Sequence, residues 1–227
     1  IVNYINFPEI IFWKMNSIFE KQKKISIEIN QKNIIKIESN RKDILDYLNG
    51  QQKEFKHAFP FIEGSALIIN NNKLKSDIRL KGDRRIHFED RSNSSYRIVI
   101  KDNEVFNGMS KFSIQKPRIR NYLHEWVFHE MLGEGGLVKL KYDFYDFYLN
   151  GKFLGYYNLE ESFGKVLLER NKRRNGPIFS IFESLEKFNL DISQNKFEVY
   201  NKKYWEKEEN LTITKSAVKK LNNFLEG

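Results

Sequence analysis

The stretch YDFYDFYLNGKFLGYYNLEE, residues 142–161, carries the strongest local structural signal in this sequence. Two aromatic-rich runs flank the pair Asn150-Gly151. Both central residues of a tight type I′ turn have positive φ, which asparagine and glycine tolerate better than other residues. The stretch therefore predicts a β-hairpin of two antiparallel strands.

Shorter segments predict the rest of a mixed α+β lobe. Alternation of polar and apolar residues is typical of half-buried strands, and it predicts strands at residues 24–29, 66–69, 74–80, 96–100 and 111–115. Capping residues and apolar periodicity predict helices at residues 41–49, 117–132, 163–171 and 214–225. The expected fold class is α+β, a mostly antiparallel sheet with one prominent inserted helix plus peripheral helices.

The composition is that of a folded, basic protein. Hydrophobic residues make up 40% of the 227 residues, which is enough to form a buried core. The net charge of +9 suits an anionic partner such as a nucleotide, an acidic glycan or an anionic membrane surface. Scattered surface lysines explain the same charge equally well, so the charge leaves the partner open. The sequence contains no cysteine, which excludes disulfides and thiolate metal sites.

The first part of the chain is apolar, but no run approaches the length of a membrane span. Residues 7–20, FPEIIFWKMNSIFE, are interrupted by Glu9 and Lys14, so we expect a docking helix over residues 1–23. Because the first residue is Ile rather than Met, we expect the natural protein to start further upstream.

The segment FSIQKPRIRNYLHEWVFHEMLGEGG, residues 112–136, places charged residues beside an apolar helix face. At about 100° per residue, one face collects the apolar residues that we expect to pack on the core, namely Ile119, Leu123, Trp126, Val127 and Met131. The flank beside it collects Arg118, Tyr122, Glu125 and His129. A carboxylate so close to a buried face needs a cationic partner. Glu125 belongs either to an ion network on the helix surface or to a pair with a cation of the neighbouring sheet.

Two predicted strands supply candidate cations for that pair. They are Arg79 and Lys81 on one strand, and Arg97 and Lys101 on the next. In RLKGDRR, Gly82 permits a sharp turn whose backbone amides and cationic side chains suit phosphate oxygens. The pattern indicates either an anion site or a charged surface turn.

Two further polar stretches have the same two interpretations. Residues 92–95, SNSS, form either an anion site or a plain loop. Glu160 and Glu161, which end the hairpin, either cap the following helix or mark a connector between lobes. The histidines lack the spacing of a metal site, so no metal ligand is predicted.

Taken together, these pieces resemble the CotH family of atypical, spore-coat-type protein kinases. The matching pieces follow one another in order: RLKGD (79–83), SSYRI (94–98), NGMSKFSIQKPRIRNYLHEW (107–126), YLNGKFLGYYNLEE (148–161) and NGPIF (175–179). No single piece is specific, but the ordered combination is.

The resemblance implies a kinase-like N-lobe that binds ATP with magnesium and transfers the γ-phosphoryl group to Ser or Thr of a protein substrate. In kinase-type lobes a strand cation holds nucleotide phosphates and a helix carboxylate orients it. By element order, Arg97 is the expected strand cation and Glu125 the expected carboxylate. The expected cofactor-binding residues are Lys81, Arg97, Arg118, Arg120, Glu160 and Glu161, the last two beside a hinge at residues 158–162.

The sequence departs from a complete kinase after Pro177. No catalytic loop with a following metal-binding Asp is recognisable there, and we interpret Asp191, which precedes Asn195 at the interval of such a loop, as coincidental. We therefore expect a CotH-like nucleotide-binding region at residues 24–186, and at residues 187–227 the polar, helical start of a second lobe that is largely missing. The magnesium ligands are expected outside this chain, and the chain alone is expected to be inactive.

A different class of function stays open beside the kinase interpretation. The positive charge, the aromatic residues Tyr142, Tyr145, Tyr148 and Tyr156, and the missing acidic pair also fit a non-catalytic module of a cell surface or envelope that binds an acidic glycan or a protein. Nucleic acid is disfavoured because no RNP-like, KH or helix-turn-helix pattern occurs. The resemblance suggests a cell-surface or spore-associated location, and the oligomeric state is left open.

Overall fold

The structure, a computed structural model, describes residues 23–50, 60–69, 72–82, 84–88, 94–182 and 196–225. The expected docking helix over residues 1–23 lies, apart from Lys23, outside these residues. Asp191 lies outside them as well.

Seven strands form one closed barrel. They are β1 (Lys24–Glu28), β2 (Ile62–Ile69), β3 (Asn72–Leu80), β4 (Tyr96–Ile100), β5 (Lys111–Gln115), β6 (Tyr142–Leu149) and β7 (Lys152–Glu161). Around the barrel their order is β1-β2-β3-β4-β5-β7-β6. Neighbours pair antiparallel except β1 and β6, which pair in parallel and close the barrel.

The expectation of a kinase-like N-lobe, an open sheet with an inserted helix, is wrong. Strand β1 pairs with β2 on one side and with β6 on the other, with Lys24 opposite Asp146 and Ile27 opposite Leu149. This second pairing removes both free edges of the sheet. It joins residues far apart in the chain, so no local pattern in the sequence could reveal it.

The core fills the barrel and extends under the first helix. Ile25, Ile98 and Phe112 are fully buried within it. Helix α1 (Gln31–Leu48) adds Ile37 and Ile44 to the same core. The sequence predicted this helix to begin after Asn40, but it begins nearly three turns earlier.

The N-cap of α1 explains its earlier start. The side chain of Asn30 accepts a hydrogen bond from the Asn33 backbone N at 2.8 Å. Asparagine is a strong N-cap residue because it satisfies one of the free amides of the first turn. The β-branched and polar residues that follow Asn30 concealed the helix in the sequence.

The predicted hairpin of β6 and β7 is confirmed. Asn150 and Gly151 both have positive φ, 48° and 76°, as a type I′ turn requires. The Asn150 side chain also accepts a hydrogen bond from Ile29 N at 2.7 Å and donates one to Ile29 O at 2.8 Å. The turn is therefore fixed to the end of β1.

The predicted helix over residues 117–132 is two elements. A 3-10 turn covers Pro117–Arg120, and helix α2 covers His124–Glu134. Between them Asn121 and Tyr122 have positive φ, 52° and 60°, which ends the first element and redirects the chain.

The expected core face of this helix is also wrong. Ile119 on the 3-10 turn is buried, but Trp126 and Met131 on α2 are 39% and 68% exposed. The buried residue of α2 is His129, from the predicted polar flank, whose ring lies 5.9 Å from that of Tyr142 on β6. The break at Asn121 and Tyr122 lies within the predicted helix. Residues before and after the break therefore do not share one helical periodicity, and the face predicted from that periodicity does not form.

The C-terminal part adds short elements beside the barrel. They are α3 (Lys165–Arg170), a two-stranded sheet of β8 (Phe179–Phe182) and β9 (Lys196–Val199), α4 (Lys202–Trp205) and α5 (Glu208–Leu225). None of the described helices is both long and apolar enough to cross a lipid bilayer. The predicted division at residue 187 stays a prediction.

Candidate functional site

A row of paired residues crosses the outer face of the barrel. Strand register places Arg79 opposite Arg97, Arg97 opposite Ser113, Ser113 opposite Glu160 and Glu160 opposite Tyr142. Directly paired residues lie on the same side of a sheet, and the adjacent positions point to the core. The row therefore brings cationic, hydroxyl and carboxylate side chains from five strands onto one surface.

Glu160 is the centre of a buried ion cluster on this surface. Its carboxylate accepts hydrogen bonds from Gln115 Nε2 at 2.7 Å, from Arg120 Nη2 at 3.2 Å and from Lys81 Nζ at 3.4 Å. The side chains of Lys81 and Glu160 are 14% and 12% exposed, and that of Arg120 is 34% exposed. We call these four residues the Glu160 cluster.

The charges of the Glu160 cluster are strongly coupled. Burial lowers the pKa of Lys81 to about 8, while the negative charge of Glu160 opposes this shift. Burial alone would raise the pKa of Glu160, but Lys81 and Arg120 outweigh it and hold that pKa below its ordinary value. At neutral pH the cluster thus contains two cations and one carboxylate.

A second group of cations lines a cavity next to the Glu160 cluster. Arg79, Arg97 and Lys111, from β3, β4 and β5, form one wall of a cavity of about 580 Å³. The C-terminal part supplies the other side with aromatic and small polar residues, including Tyr200, Tyr204, Trp205, Asn175 and Gly176. We call this the cationic cavity. None of its described lining residues is acidic.

The positive charges that line this cavity repel one another. Burial, followed by the charge of Arg97, lowers the pKa of Arg79. Burial, followed by the charges of Arg97 and Arg79, lowers the pKa of Lys111. Among the described residues, Arg97 Nε donates to the neutral hydroxyl Ser113 Oγ, at 3.3 Å. Grouped cations without a carboxylate are stabilised when an anion enters between them.

The residues of the Glu160 cluster and of the cationic cavity lie within a region that matches a known protein family. A family model described as CotH kinase protein matches residues 78–227, more than half of the chain. The chain belongs to the CotH kinase protein family. Comparison with curated proteins finds no match.

The pieces that resemble CotH proteins meet on this one surface. RLKGD supplies Arg79 and Lys81, SSYRI supplies Arg97, and NGPIF supplies Asn175 and Gly176 of the cavity. Gly82 has a φ of 129°, and a Cβ there would overlap the His87 ring, so the turn after β3 requires glycine as the sequence suggested.

The two predicted catalytic residues do not contact each other. Arg97 lines the cationic cavity, whereas Glu125 lies on α2 with its Oε1 3.9 Å from His129 Nε2. No hydrogen bond or ion pair joins Arg97 to Glu125, both of which are described. Glu160 on β7 instead pairs with Lys81, which directly follows β3. The catalytic roles of Arg97 and Glu125 stay predictions.

The other predicted cofactor-binding residues divide into two groups. Lys81, Arg120 and Glu160 come together in the Glu160 cluster, next to Arg97. Arg118 is exposed on the 3-10 turn. Glu161 is 2% exposed, forms an ion pair with Arg170 of α3 and accepts a hydrogen bond from Lys141 N at 2.9 Å. Glu161 therefore joins β7 to α3, and its role toward a cofactor stays a prediction.

Sequence reasoning missed Lys111 and Gln115 of this site. Both alternate with the core residues Phe112 and Ile114 on β5, so the strand prediction placed them on the outer face. The strand prediction could not give the register in which β5 pairs with β4 and β7. Alternation gives the face of a residue, but only register gives its neighbours.

Several buried polar groups lie on β5, β6, β7 and α2 around the Glu160 cluster. The amide of Asn158, Oε1 of Gln115, the Tyr142 hydroxyl and both ring nitrogens of His129 have no hydrogen-bond partner among the described residues. Burial lowers the pKa of His129, and it raises that of Tyr142, so both rings are neutral at neutral pH. Such groups are sensitive to any change of charge at Glu160.

Proposed function

We propose that this chain carries the nucleotide-binding part of a CotH-type, ATP-dependent phosphotransferase, with the triphosphate of ATP in the cationic cavity. The observation that supports it most is that Arg79, Arg97 and Lys111 share a cavity whose described lining contains no acidic side chain. Guanidinium and ammonium groups in such a setting bind phosphate oxygens through charge-assisted hydrogen bonds.

The cavity also has a side suited to a planar base. Tyr200, Tyr204 and Trp205 line it together with the cations. Aromatic rings stack on any nucleobase, and cations attract the phosphates. One cavity can therefore bind both the base and the phosphates of a nucleotide. Residues Phe163 and Gly164, which directly follow the expected hinge at 158–162, line the same cavity.

In this proposal the Glu160 cluster lies beside the phosphate site and keeps Lys81 positively charged. The charge of Glu160 opposes the fall in the pKa of Lys81, so that Lys81 keeps its proton at neutral pH. Lys81 then adds its positive charge next to Arg97. Glu160 thereby has the orienting role that the resemblance assigned to a helix carboxylate.

Bound ATP with magnesium would supply the phosphoryl group for transfer. The described cavity lining offers phosphate ligands but no carboxylate for magnesium, so it fits the nucleotide better than the metal. The transfer to a protein Ser or Thr rests on CotH membership, and the metal-binding and base residues are expected outside the described lining.

A non-catalytic module that binds an acidic glycan or a protein is the second candidate. Tyr156 and Phe153 are exposed on β7, with ring centroids 6.2 Å apart. Tyr142 and Tyr145, which the same interpretation expected at the surface, are buried. The exposed aromatic surface is therefore smaller than the sequence suggested.

Binding of ATP measured by calorimetry, with and without magnesium, tests the first proposal. Arg97→Gln should weaken ATP binding about tenfold to a hundredfold, since a hydrogen bond to a charged group contributes about 1.5–3 kcal/mol. The matched control Lys73→Gln removes one cation from the exposed pair with Glu28 and should leave ATP affinity unchanged. Equal affinity of wild type and Arg97→Gln would contradict the proposal.

A further inference from the structure

Helix α2 turns apolar residues to solvent. The exposed residues, including the one just before the helix, are Leu123 (56%), Trp126 (39%), Val127 (43%), Phe128 (55%) and Met131 (68%). We call these five residues the α2 face. The buried residue of the helix, His129, lies against Tyr142 of β6, on the other side of the helix. None of the five residues of the face belongs to the barrel core.

The α2 face is large enough to be a protein interface. Tyr122 and Leu137, at the two ends of the helix, are also 64% and 58% exposed. A large apolar or aromatic side chain offers about 150–250 Å² of surface, so the exposed parts of these seven residues amount to about 700 Å². The largest apolar patch of a typical monomer is about 300–600 Å², whereas each partner of a stable interface buries about 800 Å². The area of the face therefore fits contact with another folded protein.

The distribution of charge along α2 indicates which protein fits. At the N-terminal end the basic residues Arg118 and His124 are exposed. At the C-terminal end Glu130 pairs with Lys139 at 2.9 Å, and Glu134 is exposed. The helix dipole adds partial charges of the same signs to these two ends. The acidic end would repel nucleic acid or anionic lipid, whereas the face as a whole is complementary to the same face turned end for end.

We propose that two copies of this chain associate through the α2 face about a two-fold axis, with their α2 helices antiparallel. A two-fold interface uses the same patch on both partners, so the patch must be complementary to itself. With the axis at Val127, residues equally far before and after it face each other. Leu123 packs on Met131 of the second copy, and Glu130 lies opposite His124 of the second copy.

This inference is independent of the proposed nucleotide site. No residue of the α2 face lines the cationic cavity, so the dimer forms whether or not the cavity binds a nucleotide. Interfaces between identical chains are more apolar than the rest of a protein surface. The dimer therefore explains why α2 directs its apolar residues away from the core.

Light scattering coupled to size-exclusion chromatography tests the proposal on the chain as it stands. The wild type should elute with twice the mass of one chain. Val127→Lys places two ammonium groups against each other at the axis, so it should weaken the dimer at least about a hundredfold and elute as a monomer. The matched control is Ile35→Lys on helix α1, where the side chain is 61% exposed. It also replaces an exposed apolar residue of a helix, and it should stay dimeric.

Three results would overturn the proposal. They are a wild type that stays monomeric up to about 100 µM, a Val127→Lys variant that is as dimeric as Ile35→Lys, and an assembly larger than two chains. The last would mean a contact between two different surfaces, which does not close on itself.

Disulfide formation between chains tests the antiparallel arrangement, because the sequence has no native cysteine. Leu123→Cys chains mixed with Met131→Cys chains should give a mixed disulfide, identified by intact mass. Either variant alone should give at least about fivefold less, because its two thiols lie about 12 Å apart along the helix axis and a disulfide needs Cα atoms within about 7 Å. Circular dichroism checks that both variants are folded. Equal yields from the mixture and from the single variants would rule out the antiparallel pair.

Discussion

Replacing Glu160 by Gln tests the ion cluster that supports the site. The change removes the negative charge but keeps the size of the side chain. Lys81, 14% exposed, and Arg120, 34% exposed, then remain next to each other without a counter-charge. Gln115 also loses its charged acceptor at 2.7 Å. The folded state is therefore expected to lose stability.

The size of this loss follows from the burial of the cluster. Removing one partner of a buried ion pair costs about 3–5 kcal/mol. Arg120 is partly exposed, and Gln can still accept hydrogen bonds, so the cost is at the lower end of this range. We expect the free energy of unfolding to fall by about 3 kcal/mol. For a domain of this size that corresponds to a fall in Tm of about 6–12 °C.

Thermal unfolding followed by circular dichroism measures the effect, with Glu130→Gln as the matched control. Glu130 pairs with Lys139 at 2.9 Å, but the two side chains are 47% and 33% exposed. Such exposed pairs contribute about 0–1 kcal/mol, so this control should unfold close to the wild type. Equal Tm values for the two variants would refute the idea that Glu160 holds a buried cluster together.

Two further predictions concern titration. The unfolded chain holds the Lys81 proton up to its ordinary pKa of 10.5, whereas the folded chain releases it at about 8. Stability should therefore rise by up to about 3 kcal/mol between these pH values relative to Lys81→Met, as measured by urea unfolding, and a flat difference would contradict the assignment. Burial lowers the pKa of His129 from 6.5, so the unfolded state takes up its proton first as the pH falls. Below pH 6.5 the wild type should lose stability faster than His129→Leu, and parallel acid unfolding curves would show that His129 is not buried as a neutral ring.

Several elements of this protein could be predicted from the sequence because they depend on neighbouring residues alone. The strands Tyr96–Ile100 and Lys111–Gln115 lie where alternation placed them, and the turn at Asn150 and Gly151 has the predicted backbone. Alternation of side chains and the steric preferences of asparagine and glycine act over a few residues, so a short stretch contains all the information they need.

The candidate site could be predicted only in part. The sequence named Lys81, Arg97, Arg120 and Glu160 as cofactor-binding candidates, and the structure brings them together on one surface. It proposed Glu125 as the partner of the strand cation, whereas Glu160 contacts Lys81 in the fold. Which carboxylate meets which cation depends on strand register and on the direction of α2, and neither is a local property.

The sequence by itself determined the hairpin, most strands, the surplus of cations and the membership in the CotH family. Tertiary structure decided that β1 closes the sheet against β6, that α2 turns its apolar residues outward, and that Arg79, Arg97 and Lys111 share one cavity. The physical reason is the range of the interactions. Backbone preferences act between neighbouring residues, whereas closure and ion pairing depend on contacts between residues many positions apart, which form only when the whole chain has folded.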